Sequence, residues 1–380
     1  MKKFLITSLN YLSAFFALTS VANALTGMCV TDANGSIVIS AAGKLGNQVQ
    51  ENNSNQKAPF NYANGYEDSE FEDNDADACQ TQPLFYKLNF YKVALCLSDP
   101  YTGNANPDYS SCTNIFSNAG GKEIIIEPDK EVDLLEGDLL LPVGSYKYLT
   151  VVLSNHIHIK HKQKYVYVDG SRAVMYGNGD DDNTNTDLCY TVAGVTTLSG
   201  ETYDGDDSYN TAHGVTVLDS AQTADDSRLE CVDGDPAGDY AYATEIIDHF
   251  GDDATLVPIF EYTSMLSDTG VDVELGATML KTDNVTVADD VDNALRIGAH
   301  FKYTNPVIIS ENTVGFKLNF ATTRGVSLDA GQDNDNKIFM VKVGADPFTI
   351  EVQTKTRRRR GCLLYTSPSP RDKRQSRMPA

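Results

Sequence analysis

The chain has no tryptophan. Tryptophan faces are the commonest platforms for sugar rings, so a carbohydrate site here would have to use the 20 tyrosines instead. Familiar catalytic signatures are missing as well. No Gly-x-Ser-x-Gly turn, His-Glu-x-x-His pair or glycine-rich phosphate loop occurs, so catalysis has no motif to rest on. There is no Cys-x-x-Cys, which removes the usual basis for a cysteine-built zinc site. Positive charge is scarce: 30 Lys and Arg face 53 Asp and Glu, for a net charge of −23. Nucleic acid and anionic membranes would be repelled by such a surface, and neither is expected as a partner.

Long apolar runs are lacking too. The one extended stretch, Phe4 to Val21, is short and interrupted by Thr7, Ser8, Asn10 and Ser13, unlike a membrane span. It follows Lys2 and Lys3 and precedes Ala22-Asn23-Ala24, a small-x-small pattern cut by signal peptidase. Residues 1–24 are therefore expected to be a signal peptide. The mature chain then has no membrane span and works in the periplasm, on the cell surface or in the medium. At the far end, Cys362-Leu-Leu-Tyr-Thr-Ser-Pro-Ser-Pro-Arg-Asp and the basic residues after it resemble a translated sequencing adapter and primer. Residues 357–380 are expected to be such read-through, not native protein. The plainer alternative is a basic Pro/Ser-rich tail.

Setting that tail aside leaves six cysteines: Cys29, Cys79, Cys96, Cys112, Cys189 and Cys231. An even number in an exported chain points to disulfides. Six cysteines permit many pairings. The one expected is Cys96–Cys112 and Cys189–Cys231, each closing a polar loop, with Cys29–Cys79 tying down the N-terminal arm.

Much of what remains reads as strand. Val30 to Ala42 looks like a hairpin turning at Ala33-Asn34-Gly35. A polar linker or long loop fills the rest of 25–82. Leu84 to Cys96 alternates through Tyr86, Leu88 and Phe90, slips phase at Phe90–Tyr91, and resumes at Val93 and Leu95, as a bulged strand would. Leu141-Pro142-Val143-Gly144-Ser145-Tyr146 launches a strand to Leu153. This segment is similar to the Pro-x-Gly-x-Tyr turn of many bacterial Ig-like and transthyretin-like sandwiches, which implies a sandwich fold. Further strands are expected at Ile124 to Ile126, Leu256 to Tyr262, Val271 to Leu280, Val285 to Val287, Leu295 to Tyr303, Val314 to Phe320 and Ile338 to Val343. One helix is expected, at Tyr242 to Phe250. Short β-branched and aromatic runs between Gly-, Asn- and Asp-bearing turns predict an all-β antiparallel β-sandwich of Ig-like or Greek-key type. It would have long acidic loops and at most one short helix. Residues 83–169 and 256–356 would form its two parts, or two β domains, around an acidic, loop-rich insertion at 170–255.

Two constellations stand out. In His156-Ile-His158-Ile-Lys160-His-Lys162-Gln-Lys164, a strand would place His156 and His158 on one face with the three lysines. Two imidazoles so placed resemble a metal pair, but the lysines oppose a cation. The stripe therefore reads as a solvated basic face, or as one that pairs with acidic loops or binds an anionic glycan. Acidic loops are the second: Asp181, Asn183, Asn185 and Asp187; Asp233 and Asp235; Asp329, Asp333 and Asp335. Calcium takes about six to eight oxygen ligands, and these loops are the candidate calcium sites. None completes an EF-hand, since Thr186 and Val192 stand where Asp181-x-Asn183-x-Asn185 needs Gly and Glu. The expected function is an exported, non-catalytic binding or structural module, stabilised by calcium, with a surface glycan or protein as partner. The alternatives are a secreted hydrolase with its carboxylates in the insertion, and a pilin-like or surface-layer subunit.

Overall fold

The computed structural model describes residues 28–39, 45, 47–48, 78–101, 106–128, 132, 141–177, 186–197, 207–215, 229–234, 240–249, 263–266, 272–332, 339–345 and 348–356. The signal stretch 1–24, the tail 357–380 and the strand expected at 256–262 lie outside these residues.

The alternation at Leu84 to Cys96 becomes β5 (Phe85–Cys96). Tyr86, Leu88 and Phe90 enter the core, followed by Val93 and Leu95. A register shift between Phe90 and Lys92 recurs in the pairings on both flanks. This is the extra residue that the phase slip required. One flank of β5 pairs with β6 (Cys112–Ile126) along its length. The other flank is shared by two consecutive strands. β7 (Gly144–Ser154) takes residues 90–96 and β8 (His156–Lys160) takes 85–87, with a corner at Asn155 between them. Beyond β7 the sheet continues through β17 (Arg296–Ile309), β16 (Asp272–Leu280) and β15 (Thr263–Leu266). Beyond β8 it continues through β14 (Ala243–Ile246) and β12 (Gly194–Thr197), completing nine strands.

Three smaller sheets are present among the described residues. A six-stranded sheet runs β10 (Met175–Tyr176), β20 (Phe339–Ala345), β19 (Val326–Gln332), β4 (Ala78–Thr81), β1 (Met28–Cys29) and β3 (Asn47–Gln48). A four-stranded sheet runs β13 (Leu229–Val232), β11 (Leu188–Thr191), β9 (Lys162–Tyr167) and β2 (Ile37–Ile39). β18 (Thr313–Ala321) and β21 (Thr349–Thr356) form a ribbon. The fold is all-β, as expected. Its sheets are mixed, however: β1·β4, β2·β9, β10·β20 and β12·β14 pair in parallel. The hairpin at Asn34-Gly35 forms as expected, with Gly35 at φ 81° and Val38 N donating to Val30 O at 2.9 Å.

One face of the nine-stranded sheet packs on the other sheets. Leu149, Val151 and Leu153 of β7, Phe301 of β17 and Leu275 of β16 join Ile37, Ile39, Leu328, Val343 and Ile350 in one buried cluster. Each fully buried aliphatic or phenyl side chain contributes about 1.5–3 kcal/mol. The opposite face carries Lys87, Lys92, Thr150 and His300.

Three local expectations need correction. The helix is α1 (Asp207–His213), not Tyr242 to Phe250; there Ala243–Ile246 is strand β14, hydrogen-bonded on both sides. Of Val285 to Val287, only Val287 pairs, in an isolated bridge to Leu280; Val285 lies in a turn, where Asp283 Oδ1 accepts from Val285 N at 3.0 Å and Thr286 N at 2.8 Å, with Asn284 at φ 66°. Local Asx chemistry outweighs the β-preference of Val285. Finally, β6 begins at Cys112, well before the short strand expected at Ile124 to Ile126.

All three expected disulfides form. Cys96 and Cys112 stand opposite each other on β5 and β6, and Cys189 and Cys231 on β11 and β13. Cys29 of β1 joins Cys79 of β4. Three such bonds fit an oxidising compartment. Among the described residues no helix is long and apolar enough to cross a membrane.

Candidate functional site

The histidine–lysine stretch does not run as one strand. Within β8 the expected alternation holds, with Ile157 and Ile159 buried and His156, His158 and Lys160 half-exposed. At buried His161 the chain leaves the nine-stranded sheet. Lys160 O accepts from Leu84 N at 2.8 Å, and His161 N donates to Thr191 Oγ1 at 3.1 Å. Lys162 and Lys164 therefore belong to β9, in the four-stranded sheet. Nor do the two imidazoles converge as a metal pair. His158 Nδ1 lies 2.7 Å from Thr244 Oγ1, whereas His156 stacks on His213 with ring centroids 6.1 Å apart. Among the described residues no three His, Cys, Asp or Glu side chains are grouped to hold a metal.

What the stretch builds instead is a lysine–tyrosine platform. Ala241 is fastened to Thr191 twice: its N donates to Thr191 O at 2.9 Å, and its O accepts from Thr191 Oγ1 at 2.6 Å. The flanking Tyr240 and Tyr242 then lie beneath lysines from three strands. Lys160 Nζ is 5.2 Å and 5.0 Å from the centroids of Tyr240 and Tyr242. Lys162 Nζ is 5.6 Å from Tyr240, and Lys87 Nζ is 5.1 Å from Tyr242. Each contact at a partly exposed position is worth about 0.5–1 kcal/mol. All five side chains remain half-exposed. Lys87 also faces Glu123 at 3.7 Å. The tyrosines were not legible in the sequence, because 240–242 lies some 80 residues from β8 and carries no strand alternation of its own.

Lys162 also lines a groove of about 710 Å³. The groove lies between the Asp32–Ser36 turn, β9 and the Gly170–Arg172 turn, with Val166 and Leu188 as apolar lining. Its cations are largely matched. Asp187 is buried and sits 3.2 Å from Lys164 Nζ and 2.9 Å from Arg172 Nη2; Arg172 also contacts Asp233. Burial pushes the Asp187 carboxyl up, but hydrogen bonds from Arg172 and Lys164 outweigh it and hold the carboxyl below its ordinary range. Of the candidate calcium ligands, Asp187 and Asp233 are thus engaged by Arg172. Asp329 is a strand residue of β19 opposite Lys342, not a loop residue. Asp181, Asn183, Asn185, Asp235, Asp333 and Asp335 lie outside the described residues.

A buried polar knot holds the roof over the β7–β8 corner. Asn155 Nδ2 donates to Ala294 O at 2.8 Å and lies 3.2 Å from His213 Nδ1. His213 Nε2 is 2.9 Å from Val291 O. A carbonyl only accepts, so Nε2 carries the proton and Nδ1 accepts from Asn155. His213 stacks on Tyr209 at 4.1 Å, whose hydroxyl donates to the buried Asp248 at 2.6 Å. The other oxygen of Asp248 is 2.8 Å from His249 Nδ1. Helix α1, the 290–294 turn, the end of β14 and the corner are thereby tied together. Asn155→Ala would strand a buried carbonyl and a buried ring nitrogen. It is expected to destabilise the protein by about 2–4 kcal/mol, read as a lowered midpoint in urea unfolding; an unchanged midpoint would refute the knot's role.

No protein-family model, no curated protein and no solved structure matches this chain.

Proposed function

We propose that the chain is an exported, non-catalytic binding module whose lysine–tyrosine platform takes an anionic glycan. The observation that carries the reading is the platform itself: three lysines within 5.0–5.6 Å of two tyrosine rings, on a chain of net charge −23. Basic groups are rare here, so their convergence over aromatic rings marks a site for a negative ligand. Tyrosine rings pack on the C–H faces of sugars, and lysine heads supply point charges for carboxylate or sulfate. The apposition of lysines on β5, β8 and β9 gives an extended surface. The three disulfides support export. In this reading, calcium would act on the acidic stretches 180–185 and 333–335. A melting scan of the full chain in calcium and then EDTA tests that part separately.

Binding is tested by calorimetric titration with polygalacturonate and heparin, against uncharged dextran. The acidic polymers are expected to bind and dextran not. Lys160→Ala, which removes the cation shared by both rings, should weaken binding about 5–10-fold, the equivalent of about 1 kcal/mol. Burial, then the charge of Lys87, holds the His158 pKa below its usual 6.5. An anion on the platform relieves that second cause while burial remains, so binding takes up protons and tightens as pH falls below 6.5. Equal weak retention of dextran and polygalacturonate would overturn the proposal.

A further inference from the structure

Resting on that reading, we infer that the groove beside Lys162 is a second subsite that takes an uncharged sugar next to the anionic one. The ligand is then a glycan in which charged and neutral residues alternate. The platform and the groove are contiguous, because Lys162 both overhangs Tyr240 and lines the groove. At about 710 Å³ the groove falls within the range of small-molecule sites.

The two halves differ in charge. On the platform, three lysines lie over neutral rings. In the groove, Lys164 and Arg172 already face Asp187, and Arg172 contacts Asp233 as well. A second anion would compete with those carboxylates. The groove's other polar groups suit hydroxyls. Gln163 Nε2 donates both its protons, to Gly35 O at 2.9 Å and to Lys164 O at 3.0 Å. That fixes the amide and leaves Oε1 as its acceptor. Asp32, by contrast, is occupied by its own turn, accepting from Asn34 N at 2.9 Å and Ser36 N at 2.7 Å. Val166 and Leu188 offer apolar surface for the face of a ring. A fixed acceptor, paired charges and an apolar lining recognise a hydroxyl-rich neutral residue.

The test uses two octasaccharides titrated into the full chain. In oligogalacturonate every residue is anionic; in a hyaluronan oligosaccharide glucuronate alternates with an uncharged N-acetylhexosamine. Both should bind, the alternating one about tenfold more tightly. Gln163→Ala should erase that advantage and leave the galacturonate affinity unchanged, whereas Lys160→Ala should weaken both. Gln163 is half-buried, and an unchanged melting temperature checks that the variant folds. Equal affinities indifferent to Gln163→Ala, with both still lowered by Lys160→Ala, would overturn the neutral subsite and spare the platform. If neither ligand binds, the platform reading fails and this inference falls with it.

Discussion

Full reduction of the three disulfides is expected to unfold the chain at about 37 °C without denaturant. The bonds close loops with sequence separations of 50, 16 and 42 residues. Loop-closure entropy assigns them about 4, 3 and 4 kcal/mol respectively. That total is comparable with the whole stability of a folded domain, about 5–15 kcal/mol. The three should not be equal in practice. Cys96–Cys112 has the shortest loop and joins strands already paired along the full length of β5. Cys29–Cys79 fastens β1 and β4, which share a single parallel register pair, so its loss should release the N-terminal arm. Thermal melts with and without reductant, and melts of the paired Cys→Ser variants, check the ranking. A melting temperature indifferent to reductant would refute it.

Acid is expected to destabilise the protein well before its carboxylates are protonated. His300 is fully buried, with the rings of Tyr101 and Tyr109 at 5.7 Å and 6.4 Å. Burial, then the charge of Lys92, lowers its pKa to about 3. Burial lowers His161 to about 4, with a small opposing effect from the Gln82 backbone. His156 is also lowered to about 4, by burial and then by His213, His158 and Arg296. All three lie below the unfolded value of 6.5, so the unfolded chain binds protons first. The stability they allow is fully present above pH 6.5 and is lost as pH falls towards 4. For the two fully buried rings the loss is about 3 kcal/mol each by pH 4. Asp187, whose pKa is lowered, acts in the same direction only below its ordinary 3.8. Melting temperatures between pH 7 and pH 4 measure the slope. His300→Phe, which keeps a ring in place, should flatten it. An unchanged slope in that variant would show that His300 is not a source.

The sequence was most legible where one residue's chemistry decides the outcome. Asn34-Gly35 demanded a turn, and the doubled aromatic at Phe90–Tyr91 demanded a bulge. The cysteine pairing followed from which segments looked like loops. Legibility failed where tertiary contacts decide. From Ser117 to Glu123, β6 carries no large apolar side chain and is largely exposed while it pairs with β5 on one flank, so only Ile124 to Ile126 read as strand. Asp207–His213 contains poor helix formers and is held by Tyr209 and His213. The platform joins residues from 87, 160, 162, 240 and 242, which no local period links. Asp187 looked like a calcium ligand because its partner Arg172 lies in a different turn, out of sequence register with it.

The pairing of β7 has a consequence for how the chain acquires its fold. Thr150 pairs with His300, so one long edge of β7 stays bare until a strand from much later in the chain arrives. β5, β6, β7 and β8 can assemble early from neighbouring sequence, but they then expose the apolar row Leu149, Val151 and Leu153 and an unpaired hydrogen-bonding edge. Such intermediates are slow to complete and prone to join one another. Refolding yield should therefore fall as protein concentration rises, and a chain cut before Arg296 should aggregate rather than remain as a half-built monomer.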